Sequence, residues 1–196
     1  MDTKEALFDQ LTQQVCALGA RNAAVIRTTA IEKDAAFRDM CAANSCGLYG
    51  KCWTCPPDIG EIHELMARID RYEYALVYQS IGALDDSFDF EGMIQAKRNH
   101  FRLTIKVKKA LLDFHAFSKV LHLGAGGCGF CEVCAKRTNE PCRYPELAVP
   151  SLEAFGVNVS RMAAAAGMKY INGVNTVTYF SAILFSLREH EERYDG

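Results

Sequence analysis

The stretch Gly127-Cys128-Gly129-Phe130-Cys131-Glu132-Val133-Cys134 spaces three thiols two residues apart, and Cys142 follows eight positions after the third. Short Cys-x2-Cys steps let consecutive thiolates reach different corners of one iron–sulfur cubane, and bacterial ferredoxins use the same opening run. Zinc sites more often pair two such knuckles across a long gap, around one small ion. The single knuckle region therefore favours a 4Fe-4S cluster on Cys128, Cys131, Cys134 and Cys142, with zinc as the alternative. Glycines at Gly124, Gly126, Gly127 and Gly129 agree, because chain without Cβ atoms approaches a cluster closely and turns N–H groups toward its sulfides.

A second set lies upstream, Cys41-x4-Cys46-x5-Cys52-x2-Cys55, among the loop-forming residues Asn44, Ser45, Gly47, Gly50, Pro56, Pro57 and Gly60. Such a loop is long for a compact domain, which predicts that something other than a core holds it in place. Beside the first set, these thiols predict a second 4Fe-4S cluster, again with zinc as the alternative. The default assignment keeps each set whole, although in two-cluster ferredoxins a cysteine preceding proline serves the other cluster, and Cys55 precedes Pro56. Lys51, Lys136, Arg137 and Arg143, within or beside the sets, would favour reduction of an anionic centre; their alternative reading is ordinary surface charge.

Two other patterns compete. Cys52-Trp53-Thr54-Cys55 spells a redox dithiol, but such a motif opens a helix and this one runs into Pro56-Pro57. Gly124-x-Gly126-x-x-Gly129 spells a dinucleotide fingerprint, but its third glycine lies inside the thiol run and Glu146 is only loosely placed for a ribose. The ninth cysteine, Cys16, falls among Leu7, Leu11, Val15 and Leu18 at helical spacing and is expected to pack as a small hydrophobe. His63, His100, His115, His122 and His190 show no ligand spacing and read as surface or helix-face residues.

Lys and Arg number 22 against 24 Asp and Glu, a net charge of −2, so no bulk charge points to nucleic acid or an anionic membrane. Residues 1–7 lack the basic start and apolar run of a secretory signal, and no stretch approaches the ~18 apolar residues of a membrane span. The expectation is a cytoplasmic protein, in a compartment that disfavours a disulfide framework and leaves metal to explain the thiols.

Residues 3–19 read as an amphipathic helix, 22–29 as a strand, 33–40 as a short helix delivering Cys41, 61–71 as a helix and 73–80 as a strand. Residues 90–115 read as a long helix with Phe101, Ile105 and Leu112 on one apolar side and Leu103, Val107, Ala110 and Phe114 on another, wedged between two layers. Its Arg98, Arg102, Lys106 and Lys109 form one basic stripe. Residues 119–123 read as a strand, Ser151 as a helix start, 159–167 as a helix, and Asn172-Gly173 as a hairpin turn between strands at 168–171 and 174–185. Strands alternating with helices predict an α/β or α+β fold in a single domain over 1–196.

The chain resembles a family of small cysteine-rich proteins described as predicted metal-binding and of unknown function. The resemblance rests on Cys46-Gly47-Leu48-Tyr49-Gly50-Lys51-Cys52-Trp53-Thr54-Cys55-Pro56-Pro57, on Gly127 to Cys134 with Cys142-Arg143-Tyr144-Pro145-Glu146, and on Pro150-Ser151-Leu152-Glu153-Ala154-Phe155-Gly156-Val157. It covers most of the chain from Cys41 onward and implies metal binding without an activity. The expected function is a carrier of two 4Fe-4S clusters exchanging electrons with a protein partner, which the basic stripe could dock if it is acidic. One alternative is an enzyme using an open cluster iron as a Lewis acid, with Tyr49, Lys51 or His122 beside a small substrate. Another is a structural zinc module.

Overall fold

The computed structural model describes residues 3–111 and 114–188. Helix α1 (Thr3–Ala17) leads into strand β1 (Asn22–Arg27), and the short α2 (Phe37–Ala42) carries Cys41 in its last turn. Helix α3 (Ile62–Ile69), strand β2 (Tyr74–Ala83), the long α4 (Phe90–Leu111) and strand β3 (Phe117–Leu123) follow. The chain then crosses the second thiol loop, forms α5 (Val159–Ala165) and closes with β4 (Thr176–Leu187).

The strands form one sheet in the order β1-β2-β4-β3, with every neighbouring pair antiparallel, so of the two expected classes the fold is α+β. Strand β2 is buried continuously from Tyr74 to Gln79, which only a central strand covered on both faces can be. On one face Tyr74, Leu76, Tyr78, Ile183 and Phe185 pack under Leu11 and Val15 of α1 and Leu103, Val107 and Leu111 of α4. On the other, Ala75, Val77, Ala182 and Leu184 pack on α3, α5 and the 3-10 turn Glu153–Phe155. Gly82 lets α4 approach β2, since a Cβ there would lie 2.5 Å from the Ala96 Cβ.

Several sequence expectations are corrected. The Asn172-Gly173 hairpin does not form: residues 168–171 are not a strand, and Tyr170, Ile171 and Val174 are exposed. Strand β4 instead enters the slot between β2 and β3, where both of its faces are covered, a burial no local hairpin could match. Asn172 ties the approach down, its side-chain amide donating to the Lys169 carbonyl and the Thr178 hydroxyl. Helix α4 buries one stripe, Ala96, His100, Leu103, Thr104, Val107 and Leu111, rather than two sides; Ala110 is exposed, and Leu112 lies outside the described residues. Phe114 and His115 have left the helix. Ser151 lies in a bridge to Gly124 and precedes the 3-10 turn Glu153–Phe155, not a regular helix. Cys16 is exposed, because it sits one position past Val15 and so about 100° around the helix from the buried stripe.

Candidate metal centre

The two thiol loops are stitched together by side chains between the cysteines. The Cys128 N–H donates to the Thr54 hydroxyl at 3.3 Å, and the same hydroxyl lies 3.3 Å from the Cys52 sulfur. Trp53 Nε1 donates to the Glu140 carbonyl at 2.9 Å. Lys136 pairs with Asp58 at 2.5 Å and stacks its ammonium 4.4 Å from the Trp53 ring centre. Within the first loop, Asn44 accepts from the Tyr49 N–H and Gly50 N–H donates to the Pro56 carbonyl, so hydrogen bonds order a segment that has few apolar side chains.

This stitching brings thiols of both sets together. Cys52 lines one narrow cavity, of about 20 Å³, together with Cys128, Cys131, Cys134 and Cys142. Cys55 is buried beside it, near enough that a Cβ on Gly127 would lie 3.1 Å from its sulfur and 2.4 Å from Leu48 Cδ1. Cys41 and Cys46 line a different cavity with the half-buried Glu153, and the Cys46 charge reaches Cys55 and helps to raise its pKa. The first set thus borders two cavities, with Cys52 against the thiols of the second loop and Cys55 linking it to Cys46. Among the described residues, no group of three or more His, Cys, Asp or Glu is arranged to hold one metal ion.

Burial and thiol contacts set the charge states. Hydrogen bonding from the Cys55 thiol lowers the Cys52 pKa, with further help from Thr54 and Cys134 and against burial. The same bond pushes Cys55 up, with burial and the Cys52 charge adding to it. One proton is therefore shared unequally by the pair, and Cys52 is the more acidic sulfur. Burial raises the Cys128 and Cys41 thiols. Phe130 and Tyr144, 4.6 Å apart between ring centres, line the cavity beside Cys131 and Cys142. Of the cations near the sets, Arg143, itself exposed, lines the cavity and donates to the Val133 carbonyl, and Lys51 and Arg137 are exposed as well.

A family profile described as Predicted metal-binding protein (DUF2284) matches residues 24–185. The chain belongs to this family of predicted metal-binding proteins. The matched stretch holds all eight loop cysteines and leaves out α1 with Cys16. No curated protein and no solved structure matches the chain. The donor chemistry fits the family description: five cysteines line one cavity whose other lining residues offer neither carboxylate nor imidazole, a composition suited to thiophilic metals.

The competing patterns lack their structural context. No helix opens at Gly129; the next helical turn is the 3-10 segment Ala135–Thr138. Cys52 and Cys55 lie in turns, not at the start of a helix. Thr54, Trp53 and Asp58 were not legible as site residues, because their partners lie up to 87 positions away and no local pattern marks them. His100 and His122 are buried, contrary to the expectation of surface or helix-face residues. His122 Nε2 bonds the Tyr78 hydroxyl at 2.7 Å, and His100 bridges Ser80 and Ser181 at 2.7 and 2.8 Å. Burial lowers their pKa values to about 3 and about 4. The signal was present for His100, which lies three and seven positions before Leu103 and Val107 on the buried stripe of α4.

Proposed function

We propose that the chain carries two 4Fe-4S clusters and exchanges electrons with a protein partner. The observation that carries this reading is that five cysteines line one cavity, with a sixth beside them, where the two loops meet. Tetrahedral zinc takes four ligands, and the surplus suits two centres that share the loop junction. In this assignment Cys128, Cys131, Cys134 and either Cys52 or Cys142 hold one cluster. The remaining member of that pair joins Cys41, Cys46 and Cys55 at the other. Bound clusters would supply one-electron transfer. The chain's own part is to hold the thiolates, keep Cys52 ionised beside Thr54 and Cys55, and shield the site with Phe130 and Tyr144.

The exposed Arg98, Arg102, Lys106 and Lys109 run along α4, and Phe101, next to Arg102, packs on Phe130 at 6.4 Å between ring centres. An acidic redox partner docking there would approach the thiol loop. The narrowness of the thiol cavity favours the rival reading, a single structural zinc. Analysis of anaerobically purified protein separates the two. About eight irons and eight acid-labile sulfides per chain are expected, and stoichiometric zinc without sulfide overturns the proposal.

A further inference from the structure

A third cavity, of about 390 Å³, opens along β3, an edge strand of the sheet. Its size falls within the roughly 300–1,000 Å³ of small-molecule sites. Leu111, Val120, Phe155 and Ile183 give it apolar walls, and four polar side chains, Arg68, Lys108, His122 and Glu146, complete the lining. Ala148 belongs to this cavity and to the thiol cavity alike, so the two share a wall residue.

Two observations point to an occupant. Lys108 uses one N–H on the Ala148 carbonyl at 3.0 Å, which leaves two donors on a half-buried ammonium. Arg68 lies with its guanidinium 5.4 Å from the Phe155 ring centre and has no carboxylate partner among the described residues. Charged donors in a partly apolar wall, with hydrogen-bonding capacity to spare, favour an anionic partner. Two cations against the single Glu146 leave the lining with one surplus positive charge.

We propose that this cavity binds a small monocarboxylate with an apolar body, its carboxylate held by Lys108 and Arg68 and its body lying on Leu111, Val120 and Phe155. The apolar walls match the body, the surplus charge matches one carboxylate, and an arginine fork with a lysine is the donor set that carboxylates select. The inference rests on the cavity alone and holds whichever metal the thiols carry. With the shared Ala148 wall, the site would give the metal centre a small-molecule neighbour.

Calorimetric titration of the full-length, metal-loaded protein with 3-phenylpropanoate, 3-phenylpropanol and 3-phenylpropylamine tests this, because the three probes share one body and differ in charge. The acid is expected to bind once per chain, about tenfold or more tighter than the alcohol, as a charge-assisted contact of about 1.5–3 kcal/mol implies. The amine should bind no better than the alcohol. Lys108→Gln and Arg68→Gln should each weaken the acid about fivefold or more while leaving the alcohol unchanged, and Glu146→Gln should tighten the acid. Arg68 and Glu146 are exposed, so their variants keep the test decisive even if Lys108→Gln fails to fold. Equal affinity for acid and alcohol, no binding of the acid, or insensitivity of the acid to Arg68→Gln and Glu146→Gln each overturns the proposal.

Discussion

Thr54 uses one oxygen on two thiol loops: it accepts from the Cys128 N–H and faces the Cys52 sulfur. Thr54→Val keeps the shape and removes the oxygen, leaving a part-buried N–H without its acceptor. A loss of about 1–3 kcal/mol in urea denaturation is expected, with faster metal release to a chelator. Gly127 makes a steric rather than a polar case. A methyl there would meet Leu48 Cδ1 at 2.4 Å and the Cys55 sulfur at 3.1 Å. Leu48 can turn aside, whereas Cys55 is buried, so Gly127→Ala should cost about 1–3 kcal/mol as overpacking does and lower the metal recovered per chain. These positions differ in how visible they are in a sequence. A glycine inside a thiol run announces a close approach, whereas a threonine between two cysteines announces nothing, since its partner is 74 positions away.

At the scale of elements, α4 and the sheet enclose the polar chain of Ser80, His100, Ser181, Tyr78 and His122 inside an apolar layer. Both imidazoles are held neutral, with pKa values lowered to about 4 and about 3 against about 6.5 unfolded. Between these limits the unfolded chain binds protons that the folded chain refuses. The stability present above pH 6.5 is therefore lost as pH falls, by up to about 1.4 kcal/mol per pH unit for each histidine. His122→Gln keeps a hydrogen-bonding partner for Tyr78 and cannot take up that proton. The slope of denaturation midpoint against pH between about 6.5 and 5 should fall to roughly half that of the wild type. Equal slopes would show that His122 is not held neutral. The elements themselves were largely legible, because the helix and strand periodicities of α1, β1, α3 and β2 are local properties. The false hairpin at Asn172-Gly173 shows where locality ends. Its turn residues are genuine turn formers, but the strand after them pairs with β2 and β3, which lie far away in sequence.

Across the whole molecule, the same long-range pairing decides how the thiols are grouped. The edge strand β3 delivers its following loop against residues 52–58, because Gly124 N–H donates to the Pro150 carbonyl and Leu152 N–H to the Gly124 carbonyl, closing the loop at its base. Spacing along the chain marked eight thiols as candidate ligands, but it could not bring Cys52 against the second loop, since that contact depends on Thr54, Trp53 and Lys136, whose partners lie far along the chain. The cavity that Cys52 shares with the second loop makes a prediction about loaded protein. If Cys52 serves the centre held by Cys128, Cys131 and Cys134, then Cys52→Ser and Cys131→Ser should perturb the same electron paramagnetic resonance signal. Cys41→Ser and Cys46→Ser should perturb the other, through their place beside Glu153. If the sets stay whole, Cys52→Ser should instead behave as Cys41→Ser does. Serine conserves volume and removes the thiolate, so each variant changes ligation with little change in packing, and the pattern of paired losses reads the grouping directly.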